Sequence, residues 1–493
     1  MINLRRAIVW ASAGQYVGMA ISLASVFVLA RLLTPAEYGV VVLASSINSI
    51  AEAIREVAGT GYLVRENNLS VEKVRSTTTL SVLVTVLVVL AILLAAEPLA
   101  QFFAMPALTS YLGVLVFAYA LGPFVHPQMA LFARDLAFNR LALINLVTAI
   151  VAAGVSIGLA CLGFSSLSLA WSAVATAVVS AALGCLLSRD VSIYLPSLSH
   201  WRGVLAFGSY SSATALLGKI NETLPVFIVG KFLSAEALAI GQRALVLTLI
   251  PERLVFAAVG PVALPELSRR AREGEDLKVA YVGALSFISV VQWPAMIVVA
   301  ILAEPLVHLL LGRQWLEVVP IVRIFSPAFL LAVPIGLQYP ILVAAGAVHR
   351  LPRLLALQVL VIAAVVLATA PFGLHAVAWG SYVVLPINAG LSLVMVHSAI
   401  VFDWRELGRE AGRSAFVTLT SAAAPLVIAL DVVAIPFAST LADPVRTALT
   451  VALAVAGWLA GIHISDHPMK GELWRSVAAL QRLAARRRDR IRQ

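Results

Sequence analysis

Apolar segments long enough to cross a lipid bilayer follow one another along nearly the whole of this 493-residue chain. A hydrocarbon layer about 30 Å thick takes roughly 20 apolar residues per helix. Every backbone amide inside it must be satisfied within the segment or by a closed barrel. The runs here are continuous rather than alternating, so they are read as helices and not as strands of an outer-membrane barrel. With 61% hydrophobic and 12% charged residues, a soluble domain of this length would lack the polar surface to cover itself. The chain is therefore expected to be an all-α, polytopic membrane protein.

About fourteen spans are marked by polar breaks, at 8–30, 38–61, 78–96, 111–132, 141–162, 167–187, 205–229, 244–264, 281–303, 318–342, 354–370, 374–400, 413–434 and 445–464. The first is too long for the apolar core of a signal peptide and lacks a small-residue cleavage site. Of the 35 Lys and Arg residues, only Arg31, Lys231, Arg243, Arg313, Arg323 and Arg446 fall in one set of alternate loops. Most of the others lie in the opposite set, which places both termini in the cytoplasm by the positive-inside rule. The net charge of +10 thus marks topology and anionic lipid, and no nucleic-acid partner is expected. Beyond Asp466, Leu473, Trp474, Val477, Leu480 and Leu483 form an apolar stripe among arginines, a pattern for a helix lying on the cytoplasmic surface. Cys161 and Cys185 fall at opposite membrane faces in this topology and are expected to be packing residues.

The chain also repeats itself. Ser12-Ala13, Gly18, Val26-Phe27, Leu33, Thr34 and Glu52 align without a gap on Ser212-Ala213, Gly218, Val226-Phe227, Leu233, Ser234 and Glu252. Farther on, Ala96-Glu97-Pro98-Leu99 returns as Ala303-Glu304-Pro305-Leu306, Gln128 as Gln338, and Ala170-Trp171 as Ala378-Trp379. Six spans per copy is an even number, so both copies have the same orientation. That is a parallel repeat, as in transporters that rock two halves about a central site. The expected domains are a six-helix lobe over 1–200, a second over 201–412, two additional helices over 413–464 and a basic tail over 465–493.

Charges within spans are costly and normally face partners or a water-filled cavity. The second span carries Glu52, Arg55 and Glu56 on one helical face, the seventh Lys219, Asn221 and Glu222, and the eighth Glu252 and Arg253. Two readings stand side by side: a polar cavity between the lobes, or ion pairs that make burial tolerable. On the first, Arg55, Lys219 and Arg253 would meet an anionic substrate, Asn221, Gln128 and Gln338 would meet hydroxyls, and Glu52, Glu56, Glu222 and Glu252 would couple protons or cations. There is no nucleotide-binding loop and no His/Cys cluster with metal spacing. No cofactor and no enzymatic activity are expected.

The segment Arg31-Leu32-Leu33-Thr34-Pro35-Ala36-Glu37-Tyr38-Gly39 resembles the polysaccharide transport branch of the multidrug/oligosaccharidyl-lipid/polysaccharide exporter superfamily. So do Gly230-Lys231-Phe232-Leu233 and Ala303-Glu304-Pro305-Leu306 running on to Gly312-Arg313-Gln314-Trp315. Within that branch the chain resembles exporters of succinoglycan-type exopolysaccharide. The resemblance implies two six-helix lobes with alternating access, flipping a polyprenyl-diphosphate-linked oligosaccharide across a bacterial inner membrane for exopolysaccharide or lipopolysaccharide biosynthesis. It implies membrane lipids as partners, with a polysaccharide polymerase and chain-length or export machinery further along. A drug/cation antiporter of the same superfamily is the alternative, and a membrane-embedded glycan polymerase or acyltransferase a third. No motif carries specific site residues across.

Overall fold

The computed structural model describes residues 17–474, except 19, 59, 189–191, 430–442 and 472–473. Most of the tail expected on the membrane surface lies outside the described residues. Among those described, every regular element is a helix. In chain order they are α1 (Ala20–Leu32), α2 (Pro35–Arg55), α3 (Thr60–Arg65), α4 (Val71–Phe102), α5 (Ala107–Ala120) and α6 (Gly122–Arg134). Next come α7 (Phe138–Cys161), α8 (Leu167–Ser188), α9 (Trp201–Phe232), α10 (Ala235–Thr248), α11 (Ile250–Arg272), α12 (Leu277–Ile301) and α13 (Ala303–Leu310). The last are α14 (Val318–Ala328), α15 (Val333–Ala344), α16 (Leu351–Thr369), α17 (Leu374–His397), α18 (Trp404–Ala429) and α19 (Asp443–Ile464). Eight helical segments are long and apolar enough to cross a membrane by themselves, and the bent pair α5–α6 makes a ninth. α2, α9, α11 and α18 carry charged residues within their length as well. The chain is a multi-pass, all-α membrane protein.

The helices gather into two compact units. One holds the chain up to Gln242 with Leu310–Trp315 and Ile362–Leu374, and the other holds Arg243–Leu309, Leu316–Val361 and the chain from His375. By packing, then, the first unit runs past the repeat boundary at 200 to include α9.

Within the first unit, Thr34 caps α2. Its backbone N–H donates to the Glu37 carboxylate at 2.8 Å and its hydroxyl accepts from the Glu37 N–H at 3.4 Å, with Pro35 in the first turn. This reciprocal pair satisfies two donors that a helix start otherwise leaves bare. Ser234, the repeat partner of Thr34, accepts from the Ala237 N–H at 3.1 Å. The matched hydroxyls are thus matched helix starts. α4 has 32 residues, hence about 48 Å of helix, more than the hydrocarbon layer needs. Its first turns hold the segment between α8 and α9: Ser76 accepts from His200 N–H at 3.2 Å, Thr79 from Ser197 N–H at 3.0 Å, and Arg75 donates to Ser192 O at 2.9 Å.

The same four residues behave differently in the two copies of the repeat. Ala96-Glu97-Pro98-Leu99 continues α4, whereas Ala303-Glu304-Pro305-Leu306 opens α13 after α12 has stopped at Ile301. In the second unit the core is built by α11, α12, α15, α16 and α17 around Tyr281, Leu337, Ile341, Leu354 and Val396. α18 packs along α12, and α19 along α18. Ser289 donates to Ser414 at 3.3 Å, Trp458 to Val290 O at 2.7 Å and Ser421 to Ala454 O at 2.8 Å. A Cβ on Gly457 or Gly461 would overlap α18, so the small residues set how closely the two helices approach.

Candidate functional site

Arg55 ends α2, where its side chain is almost sealed from solvent, 6% exposed. It is held in four ways. Its guanidinium pairs with Glu52 one turn back, its central carbon lies 5.3 Å from the centre of the Tyr119 ring, and Tyr119 itself donates to Ala51 O at 2.6 Å. The fourth is space: α5 and α6 meet at a 46° bend, and a Cβ on Gly122 at that bend would fall on the guanidinium. Gly122-Pro123 therefore breaks the helix where the cation needs room. Glu52 is more open, its side chain 37% exposed, so the pair offers its carboxylate outward and its cation inward.

Glu56 turns away from this pair. It accepts from the Thr60 hydroxyl at 3.1 Å and the Gly61 N–H at 3.4 Å, fastening the start of α3.

α9 packs against α2. Ser212 donates to Ala53 O at 2.5 Å, and a Cβ on Gly208 would overlap the Val57 backbone. Farther along α9, Lys219 and Glu222 pair at 2.7 Å with both side chains accessible. Between them, Asn221 Oδ1 is buried without a hydrogen-bond partner among the described residues. The structure thus brings Glu52, Arg55, Lys219, Asn221 and Glu222 onto two packed helices of one unit. Glu252 and Arg253 lie in the first turn of α11 in the other unit, the carboxylate half-buried and the guanidinium exposed.

Gln128 and Gln338 are placed elsewhere. Gln128 is buried and donates to the Tyr194 hydroxyl and to Cys185 Sγ on α8. Gln338 is buried in the second unit, exchanging hydrogen bonds with Gln358 and accepting from Ser392 at 2.6 Å. Ser392 stands where Gly184 stands in the other copy, and a Cβ on Gly184 would strike Gln128. Both glutamines therefore tie the fourth helix of their repeat to the sixth.

The structure singles out two groups to which the sequence assigns no structural role. Tyr119 and Gly122 seat Arg55; the Leu-Gly-Pro run at 121–123 inside an otherwise regular span was their signal. Gln314 and Trp315 lie in the first unit and close the end of α1. Gln314 donates to Ala30 O at 2.5 Å and Leu33 O at 3.1 Å, and Trp315 to Ala30 O at 2.6 Å while its ring meets the edge of Tyr38. These carbonyls have no partner in their own helix. At the corresponding end of α9, Lys231, the repeat partner of Arg31, donates to Phe102 O at 2.9 Å and sits 4.0 Å from the Phe102 ring centre. Each of the two matched helix ends is thus held by a segment from the other copy.

Comparison with known proteins fits this architecture. Lipopolysaccharide biosynthesis protein WzxC of Escherichia coli K12 is 21% identical over 328 residues, 65% of this chain and 66% of that protein. Succinoglycan biosynthesis transport protein ExoT of Rhizobium meliloti is 24% identical over 303 residues, 61% of this chain and 60% of that one. Each match spans less than two thirds of the relative. Among solved structures, the lipid II flippase MurJ in an inward closed conformation superposes with a TM-score of 0.72 at 12% identity, covering 92% of this chain and 98% of that one. An inward-facing multidrug transporter of the MATE family, in the MOP superfamily, superposes at 0.60 with 17% identity, covering 80% and 98%. These likenesses show the fold. The model of the family described as "Polysaccharide biosynthesis protein" matches residues 28–320, well over half of the sequence, and the chain belongs to that family.

Proposed function

We propose that this protein is a flippase that carries a polyprenyl-diphosphate-linked oligosaccharide across the bacterial inner membrane for exopolysaccharide or lipopolysaccharide biosynthesis. The observation that carries the reading is the pairing of α2 with α9. Two cations, Arg55 and Lys219, lie within expected spans on packed helices of a family whose relatives include a named transporter of succinoglycan synthesis. A diphosphate cannot enter hydrocarbon with its charge uncompensated, and an arginine fork or lysine ammonium supplies the compensation. Each cation already has a carboxylate partner, Glu52 or Glu222, which makes its charge tolerable within a span. At the accessible Lys219 a substrate diphosphate would exchange for Glu222, and the freed carboxylate could take up a proton or cation.

In this reading the chain has fourteen spans. They form two six-helix lobes over 1–200 and 201–412, two further helices over 413–464 and a basic tail over 465–493, with both termini in the cytoplasm. The lobes alternate access, and a polymerase receives the product on the far side. Arg253, Glu252 and Glu56 are secondary members of the polar set. Gln128 and Gln338 act by holding helices together inside their repeats.

The test is flipping of a fluorescent polyprenyl-diphosphate oligosaccharide in proteoliposomes, read as the fraction protected from a membrane-impermeant quencher. Arg55→Gln and Lys219→Gln should each slow flipping by about tenfold or more, the loss of one charge-assisted contact. Flipping at the normal rate by both variants would sink the cationic-site reading.

A further inference from the structure

The loop between α3 and α4 carries a second polar site, away from the α2–α9 charges. Its backbone is pinned from two sides. Arg134 donates from one guanidinium nitrogen to Leu63 O at 2.8 Å and Glu66 O at 2.5 Å, and from the other to Asn67 O at 3.4 Å. Lys73 donates to the Glu66 carboxylate at 2.7 Å and to Asn68 O at 2.8 Å. The carbonyls of Asn67 and Asn68 are thereby used up, while their side-chain amides are exposed and make no hydrogen bond among the described residues. Those amides form the ridge between two open hollows, of about 540 and 390 Å³, and line both. The larger is completed by Ser70, Leu131, Arg134 and Asp135. The smaller has an aromatic wall, where Tyr62 and Phe207 rings lie 6.0 Å apart and the Arg65 guanidinium lies 5.8 Å from the Phe207 ring centre.

The chemistry left over after this pinning selects a ligand class. In the larger hollow Arg134 spends its donors on carbonyls and Asp135 adds a negative charge; in the smaller one Glu66 is paired with Lys73, and the Arg65 guanidinium is laid over the Phe207 ring. In the larger hollow little attraction remains for a phosphate or an anionic lipid headgroup. What the ridge itself offers are planar amides, each able both to donate and to accept, beside the Tyr62 and Phe207 rings. Adjacent hydroxyls are matched by the amides and the C–H faces of a pyranose ring by the aromatics. The hollows fall within the size range of small-ligand sites. We propose that the Asn67–Asn68 ridge with Tyr62 and Phe207 is a binding shelf for the uncharged sugars of the substrate's glycan, which receives them on the cytoplasmic side. The assignment of the glycan to this protein's substrate rests on the flippase reading; the sugar chemistry of the shelf does not.

The experiment uses the full-length protein in nanodiscs and a panel of short, lipid-free, uncharged gluco- and galacto-oligosaccharides, with saturation-transfer NMR as the readout. Flipping of the lipid-linked substrate is assayed in parallel. At least one oligosaccharide should bind. Asn67→Ala/Asn68→Ala should weaken it by about tenfold, and Phe207→Leu, which keeps the apolar bulk, should remove the saturation signal of the ring protons. Inorganic diphosphate should not compete. The shelf is overturned if no oligosaccharide of the panel binds while flipping proceeds, if the double variant binds as tightly as the parent, or if diphosphate displaces the sugar. Sugar binding that is lost in the double variant, in a protein that flips nothing, would support the shelf and overturn the flippase.

Discussion

Trp315→Phe isolates a single hydrogen bond in the tie that closes α1. Trp315 is fully buried, with 0% of its surface exposed, and Phe retains most of the ring that meets Tyr38. What is lost is the N–H to Ala30 O. Gln314 still donates to the same carbonyl, so no bare acceptor is left, and the cost is that of one ordinary hydrogen bond, about 1 kcal/mol. Adding Gln314→Ala strips Ala30 O and Leu33 O together, and the penalty for unsatisfied acceptors brings the total to about 3 kcal/mol. The two effects are coupled through one shared carbonyl, so the double variant should cost more than the sum of the singles.

The measurement is labelling of Leu33→Cys by a membrane-impermeant maleimide in cells, after Cys161 and Cys185 have been replaced by serine. Leu33 is 2% exposed, so labelling reports release of this end of α1. Relative to the same background, Trp315→Phe should speed labelling about fivefold and the double variant more than a hundredfold, from about 1.4 kcal/mol per tenfold. Equal labelling of single and double variants, with both proteins folded, would refute the reasoning. It would mean that the shared carbonyl is not what holds the segment.

Three other perturbations follow from the same geometry. Gly39→Ala places a methyl on the Ala235 backbone, so it should cost about 3 kcal/mol, visible as an early melting transition in detergent; Gly113→Ala, which meets nothing within 4 Å, is the control. Arg134→Met keeps the bulk of the side chain but strips three backbone carbonyls, Leu63, Glu66 and Asn67, of a charged donor, and should lower stability by about 2 kcal/mol, with Arg134→Lys recovering only part because it lacks the fork. His467, just past α19, is buried between Ser286 and Ser414, and burial holds its pKa below the ordinary 6.5, the nearby Glu410 opposing and Arg413 adding to the effect. The unfolded chain binds the proton first, so this contribution is whole above about pH 6.5 and lost as the pH falls below it. A melting temperature that drops on acidification, and less so in His467→Gln, is the expected outcome.

Residues that speak through their own helix were legible in the sequence. The spans follow from continuous apolar runs, and the Thr34/Ser234 match follows from both residues capping a helix. Local pattern failed where a long-range contact decides the outcome. Four identical residues continue α4 in one copy and start α13 in the other, where Ala303 and Val307 are completely buried. Helix propensity is the same for both copies, so packing makes the difference. The ends of α1 and α9 are likewise held by residues far away in sequence, and no periodicity announces such a tie.

The glutamines show the limit most plainly. A polar side chain in an apolar span needs a partner, because leaving it bare costs several kcal/mol. The sequence displays that need without naming the partner. Gln338 finds its partners on neighbouring helices of the same repeat, with Ser392 donating to it, whereas Gln128 donates to Tyr194 and Cys185 while its Oε1, like Asn221 Oδ1, is buried without a partner among the described residues. Lys219 and Glu222 are different, being accessible and, among the described residues, paired with one another. A group whose needs are met inside the fold has little to offer a ligand, and one whose needs are met by a single exchangeable neighbour has much. On that physical ground the proposed substrate contacts centre on Lys219 and Glu222 rather than on the sealed Arg55 or on Gln338.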